Sequence, residues 1–361
     1  MKPTGRLALT MLTTSVIMLL CFGSVYAQTR YAITDLGQVD EASDAVGAMA
    51  INDRGQVAGG YKDHAFLWSK GRMRDLGALP PTGPEDYAFS VAYGLNNRGI
   101  IVGSSGSFGP ITMSGLEFAR RIITKNGALR QLTDQNESFI PYAINDAGQV
   151  VGLNAYQGFF YTNGKLIPIG IFSSVTNGTR SLARSLNQHG QVVGWSTVRI
   201  HQKAKHSYLA THAFLWQRHG KSARMRDLGS LPGWANSYAY SINGQGEVAG
   251  SVSDANDDTD GVERVSHAAA FLWRGGRMIS LGRLPHSEAF GINDSTAIVG
   301  TSDAHAFLWT QGKMLDLNAC LPAASGWTLE EARAINNRGQ IVGSGRMQGQ
   351  EHMFLLTPTT H

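Results

Sequence analysis

Two carboxylates, Glu288 and Glu331, each stand four residues before an Ile-Asn pair that recurs along the chain. Their equivalent positions in successive units would put both on the same face of neighbouring strands. Two carboxyl groups roughly 5–10 Å apart are the machinery of glycoside hydrolysis. No nucleophile motif, zinc signature or phosphate loop accompanies them. Arg184 and Arg333 precede the same repeat by two residues, as does Tyr240, and could hold an anion in a channel mouth. Trp234 and Trp327 follow Leu-Pro steps in loops, where an indole offers a flat platform for a sugar or a peptide. Asn256, Asp258 and Asp260 alternate ahead of Gly261, which partly fits a calcium loop. Arg264 and His267 stand where further carboxylates would be wanted, so a solvated acidic loop is the plainer expectation and no cofactor is required. The recurring His64, His212 and His305 tempt a metal reading, but one His per unit on a strand away from the axis suits a structural hydrogen bond, to a turn or to a repeat Asp, better.

All of these residues are tied to one repeat. Its core reads I-N-x-x-G-x-V-V-G and begins at Ile51, Leu95, Ile144, Leu186, Ile242, Ile292 and Ile335. Two further series interleave with it. One is an aromatic string, A-F-L-W at Ala65, Ala213, Ala270 and Ala306; the other is D-L-G at Asp35, Asp75 and Asp227, with variants in the remaining units. Asn caps a turn with its side chain and Gly accepts the left-handed backbone of a tight hairpin. The β-branched run that follows returns as a strand. Each unit therefore predicts four short strands, A to D, with no sustained helical periodicity. That is the pattern of a propeller blade. The expectation is an all-β, seven-bladed β-propeller with four-stranded blades.

The ends favour closure. The chain opens on a D-type strand, Tyr31 to Gly37, and finishes on a C-type strand, His352 to Leu356. Pairing them in the last blade would remove two open sheet edges.

Residues 1–27 read as a secretory signal. Lys2 and Arg6 precede an apolar stretch, and Val25-Tyr26-Ala27 supplies small residues for cleavage. Residues 28–361 then form one propeller domain, in the periplasm or outside the cell, without stable membrane insertion. Without Lys2 and Arg6, 29 basic residues face 27 acidic ones, so charge gives no warrant for a nucleic-acid partner. Only Cys320 remains after cleavage, and no internal disulfide can form.

The sequence resembles the HAF-repeat family of extracellular bacterial proteins, through His64-Ala65-Phe66, His212-Ala213-Phe214 and His305-Ala306-Phe307. The resemblance implies secretion and a repeat fold, and no particular activity. The second and third units lack the string, and Thr296 replaces a turn glycine, which predicts a differently turned hairpin there.

Antiparallel strands put the A–B and C–D turns on one face of the ring and the B–C and D–A loops on the other. The A–B turn keeps one length, whereas the span from strand-B glycine to strand-C phenylalanine runs from 7 to 21 residues. A rigid scaffold with variable loops on one face is how folds host sites. The expected function is non-catalytic binding of an extracellular ligand, a glycan or a protein, on the B–C/D–A face. The alternative is a carbohydrate-active hydrolase or lyase using Glu288 and Glu331. Along strand A, Ala, Gly or Ser precedes each repeat Ile or Leu, while Met49, Tyr93, Tyr142, Arg184, Tyr240, Phe290 and Arg333 sit one residue earlier. Small-against-large packing between blades is the structural expectation for that pattern.

Overall fold

The computed structural model describes residues 30–39, 47–80, 87–108, 120–125, 128–131, 139–173, 179–201, 207–220, 222–254, 267–282, 286–322 and 324–359. The expected signal segment 1–27 and the Asn256, Asp258 and Asp260 loop lie outside these residues.

The described chain is all β, apart from one short 3-10 turn at Leu317–Cys320. It begins with β1 (Arg30–Gln38). Six sheets of consecutive strands follow. They are β2–β5 (Gly47–Ile51, Val57–Tyr61, His64–Ser69, Arg72–Asp75) and β6–β9 (Tyr87–Leu95, Ile101–Phe108, Arg120–Lys125, Ala128–Gln131). Next come β10–β13 (Phe139–Ile144, Val150–Asn154, Gln157–Thr162, Lys165–Pro168) and β14–β17 (Ser181–Leu186, Val192–His201, Ser207–His219, Ser222–Asp227). Then come β18–β21 (Asn236–Ile242, Val248–Ser253, Ala268–Arg274, Arg277–Ser280) and β22–β25 (Ser287–Ile292, Ile298–Ser302, His305–Thr310, Lys313–Asp316). A last sheet holds β26–β28 (Trp327–Ile335, Ile341–Met347, Gln350–Thr359) and takes β1 as its outer strand, in the order β1-β28-β27-β26. Every pairing is antiparallel, and Tyr31 stands opposite Pro358 at the seam between the two chain ends.

The repeat Asn explains how the sheets find one another. Its side-chain oxygen accepts the N–H four residues on in every A–B turn, at 2.9–3.1 Å. Its amide then donates to the backbone carbonyl of the repeat Asn in the next sheet. The links run Asn52 to Asn96, Asn145, Asn187, Asn243, Asn293 and Asn336, and from Asn336 back to Asn52, at 2.9–3.1 Å. All of these Asn are buried. A buried amide must satisfy both ends, and here one side chain pins its own hairpin while joining it to its neighbour. The chain of bonds returns on itself, so the sheets form a closed ring.

Apolar packing fills the space between sheets. Val193 and Ala213 of one sheet meet Ala239, Val248 and Phe271 of the next in a shared core. The last Gly of the repeat lies under this packing. A Cβ on Gly300 would sit 1.8 Å from the Glu288 carbonyl oxygen and 2.9 Å from the Phe307 ring. The outer strands are tied differently. His64 bonds Asp75 at 3.0 Å, His212 bonds Asp227 at 2.9 Å, and His352 reaches across the seam to Asp35 at 3.0 Å. The repeated His therefore clasps the repeat Asp. Thr296 departs from expectation. It takes the left-handed φ of 59° that Gly adopts elsewhere, and keeps the turn bond to Asn293 O at 3.0 Å. Its hydroxyl donates to Glu247 of the neighbouring sheet at 2.7 Å, which offsets the cost of that backbone.

The His–Asp clasps give an acid-sensitive contribution. Burial alone would raise the Asp75 and Asp227 carboxyls, but the bonds from His64 and His212 and from the Gly77 and Gly229 N–H groups hold both below their ordinary value of 3.8. A depressed folded-state value means the unfolded chain binds more protons as pH falls through this range. The stability from these clasps is complete above the ordinary Asp range and is lost as pH falls through it toward the depressed values. Asp227→Asn should cost roughly 0.5–1 kcal/mol at pH 7, allowing for its partial exposure. Thermal melts of both proteins against pH should converge as pH falls through and below the ordinary Asp range.

Candidate functional site in the central channel

Strand A lines the axis, and each copy carries a β-bulge at the same place. The ladder skips Met49, Tyr93, Tyr142, Arg184, Tyr240, Phe290 and Arg333. A bulge re-aims the unpaired residue and sharpens the local twist. All of these side chains line one cavity of about 240 Å³. The small-against-large packing between blades expected for them is thus corrected: the bulge turns them onto the axis. The small neighbours Ala50, Gly94 and Ala143 line the same cavity, where the backbones crowd most closely.

The ring has an internal order. Tyr93 meets Tyr142 edge-on, with centroids 5.7 Å apart, and the Arg184 guanidinium lies 5.0 Å over the Tyr142 ring. Tyr240 meets Phe290 at 5.5 Å, and Arg333 lies 4.7 Å over Phe290. An Arg stacked on an aromatic face is held by cation–π attraction and loses little further freedom on binding. Burial pushes the Tyr142 hydroxyl up, with Arg184 opposing it. Burial, then the neighbouring Tyr142, pushes the Tyr93 hydroxyl up, against a bond to Ser104 and the Arg184 charge. Both phenols stay protonated at neutral pH and can donate hydrogen bonds.

Isoleucines and leucines, among them Ile51, Leu95 and Ile144, border this chamber on the turn side and separate it from a second cavity of about 400 Å³. There the residue after the repeat Asn forms a polar rim, interrupted only at Gly244. The backbone N–H of Asp53 donates to Asn97, that of Asn97 to Asp146, that of Asp294 to Asn337, and that of Asn337 back to Asp53, at 2.7–2.9 Å. These side chains join neighbouring sheets. Sequence reasoning did not single them out, although Asp or Asn recurs at this position in five of seven units. Among the described residues no group of His, Cys, Asp or Glu could hold a metal ion, and no helix is long and apolar enough to cross a membrane.

The remaining candidates separate. Arg184, Tyr240 and Arg333 come together in the chamber. Glu331 ion-pairs with Arg333. Burial raises its carboxyl, Arg333 opposes this, and Glu351 adds to it. Glu288 and Glu331 occupy matching positions on adjacent strands, opposite Thr301 and Ser344. Neither lines the chamber wall. Trp234 is half-buried against the core that holds Leu228 and Phe271. Trp327 opens strand β26 instead of lying in a loop, and packs edge-on against His352 and Phe354 at 5.8 and 6.2 Å. Both indoles serve the blades more than an open surface.

Fold and site together define a β-propeller with four-stranded antiparallel blades and a cationic, aromatic axial chamber. Residues 63–231, just under half of the chain, match the family described as "Protein of unknown function (DUF3466)". No curated protein matches. Among solved structures the chain is similar to virginiamycin B lyase from Staphylococcus aureus, at 13% identity and a TM-score of 0.52, over 91% of this chain and 99% of that one. It is more distantly similar to a PL25 polysaccharide lyase, an ulvan lyase, at 10% identity and a TM-score of 0.46, over 90% and 94% of the two chains. The propeller domain of the trilobed protease from Pyrococcus furiosus gives 10% and 0.39, over 87% and 98%. At these identities the likeness concerns fold alone.

Proposed function

We propose that this chain is a secreted, seven-bladed binding propeller of the HAF-repeat type, whose ligand enters from the B–C/D–A face and rests in the axial chamber. The ligand is extracellular, a glycan or a protein segment, and binding is non-catalytic. Export through residues 1–27 places the domain in the periplasm or beyond, without a cofactor, a nucleic-acid partner or membrane insertion. The observation that carries this reading is the bulge repeated in every A strand. Nothing about a closed ring requires seven ladders to break at one level, and the breaks aim large and cationic side chains at one point.

The test is a glycan-array and peptide screen on the mature protein, repeated with Tyr240→Ala and Arg184→Ala. Each substitution should weaken any hit at least tenfold while the melting temperature changes little. Hits that bind both variants as well as the parent would contradict the chamber assignment.

A second reading, a carbohydrate-active hydrolase or lyase, rests on the matching positions of Glu288 and Glu331 on strands of adjacent sheets and on the half-buried Glu331 carboxyl, held above its ordinary value chiefly by burial. Turnover of a bound glycan that stops in Glu288→Gln and Glu331→Gln would establish it. Binding without product, unchanged in both, would dismiss it.

A further inference from the structure

The chamber's charges are placed as two stations facing each other. Around the ring the order is Met49, Tyr93, Tyr142, Arg184, Tyr240, Phe290, Arg333, so the series aromatic, aromatic, Arg occurs twice and Met49 is the odd member. The two copies match in detail. Each pairs two rings at 5.7 or 5.5 Å and sets a guanidinium 5.0 or 4.7 Å over the second ring. Three steps in a ring of seven equal sheets put Arg184 and Arg333 roughly 150° apart about the axis. Two guanidinium groups across one small chamber repel one another, with Glu331 offsetting part of the charge at Arg333. A ligand with one negative charge relieves one station, whereas a ligand charged at both ends relieves both. The flanking rings leave an apolar middle. A volume of about 240 Å³ equals about eight waters at roughly 30 Å³ each, which is room for a short chain or a single sugar ring.

Resting on the chamber reading above, we propose that the chamber selects a small organic dianion, with one carboxylate at Arg184, the other at Arg333, and its body between the two aromatic pairs. Arg333 already meets Glu331 through its Nε. A guanidinium has five N–H donors, so its outer edge can still take a second carboxylate. Glu331 then acts as a brake on that station. Its carboxyl is half-buried and held above its ordinary value chiefly by that burial, with Glu351 adding to it and Arg333 opposing it.

The experiment is calorimetry on the mature protein with butyrate, hexanoate, octanoate, succinate, adipate, suberate and neutral hexane-1,6-diol. At least one dicarboxylate should bind tenfold or more tightly than its monocarboxylate of equal length, with an optimum length in the series. Arg184→Gln and Arg333→Gln should each abolish that preference, and the Lys variants should restore part of it. Glu331→Gln should tighten dicarboxylate binding about threefold or more. Equal binding of mono- and dicarboxylates, or a preference that survives both Gln substitutions, overturns the dianion proposal. If the diol binds instead and is lost in Tyr240→Ala, the chamber stands and its ligand is neutral. If no probe binds, the dianion proposal fails, while the glycan and peptide screen still decides on the chamber.

Discussion

Asn336→Ala should lower stability by about 4 kcal/mol, one of the largest single-residue effects in the molecule. The side chain is buried and makes bonds that no Ala can replace. Its oxygen accepts the N–H groups of Arg338 and Gln340 at 3.0 and 2.9 Å, and its amide donates to Asn52 O at 2.9 Å across the seam of the ring. Truncation leaves the buried Gln340 N–H without its partner, at about 1–3 kcal/mol, and removes the bonds to the more exposed Arg338 N–H and to Asn52 O, which keeps a bond from the Gly55 N–H, at about 0.5–1.5 kcal/mol each. For a domain this size the loss corresponds to roughly 6 °C in melting temperature. Differential scanning calorimetry measures it directly. A change under about 1 °C would mean that water replaces the amide at little cost and that the bonded ring does not hold the sheets together.

Removing β1 should have a larger effect still. A chain beginning at Val39 loses every ladder bond from Arg30 to Gln38 on β28. It also loses the buried Tyr31 and Leu36, at about 1.5–3 kcal/mol for each large apolar side chain. The exposed edge of β28 carries Met353, Phe354, Leu355 and Leu356, all otherwise buried. An unpaired apolar strand of that kind recruits further strands. The truncated protein should elute from size exclusion as oligomers, and a peptide of residues 30–38 added during refolding should return it to monomer. A monomeric truncated protein with the parent melting temperature would show that the ring does not depend on this seam.

Much of the architecture was legible because one turn chemistry recurs. Asn and Gly at fixed offsets, followed by Val-Val-Gly, fix the A–B hairpin, and the D-type start with the C-type end announces the shared last sheet. A structural hydrogen bond from the repeat His was expected, to a turn or to the repeat Asp, and the Asp is the partner found. The chamber was only half legible. Arg184, Tyr240 and Arg333 stood out by type, but simple alternation along a strand assigns them to the faces between blades. A bulge inserts one residue and resets that alternation. The small residue after each large one was the available sign, since Ala50, Gly94 and Ala143 allow the close approach a bulge needs. Trp327 was misplaced for a related reason. Strand β26 has nine residues, as many as β6 and more than the other A strands, and carries two register shifts, so it reaches back past the point where Leu-Pro suggested a loop. The polar rim went unread because its members change type between Asp, Asn and Gln while keeping one job, accepting a neighbour's backbone N–H.

The convergence of seven bulged side chains on one ligand is tested most directly by a crystal structure of the mature chain with the tightest hit from either screen. The ligand should lie on the axis, within hydrogen-bond distance of Arg184 or Arg333 and against the rings of Tyr142 or Tyr240. A ligand held on the outer blade edges or at the Asn–Asp rim, with the chamber side chains unmoved, would contradict it.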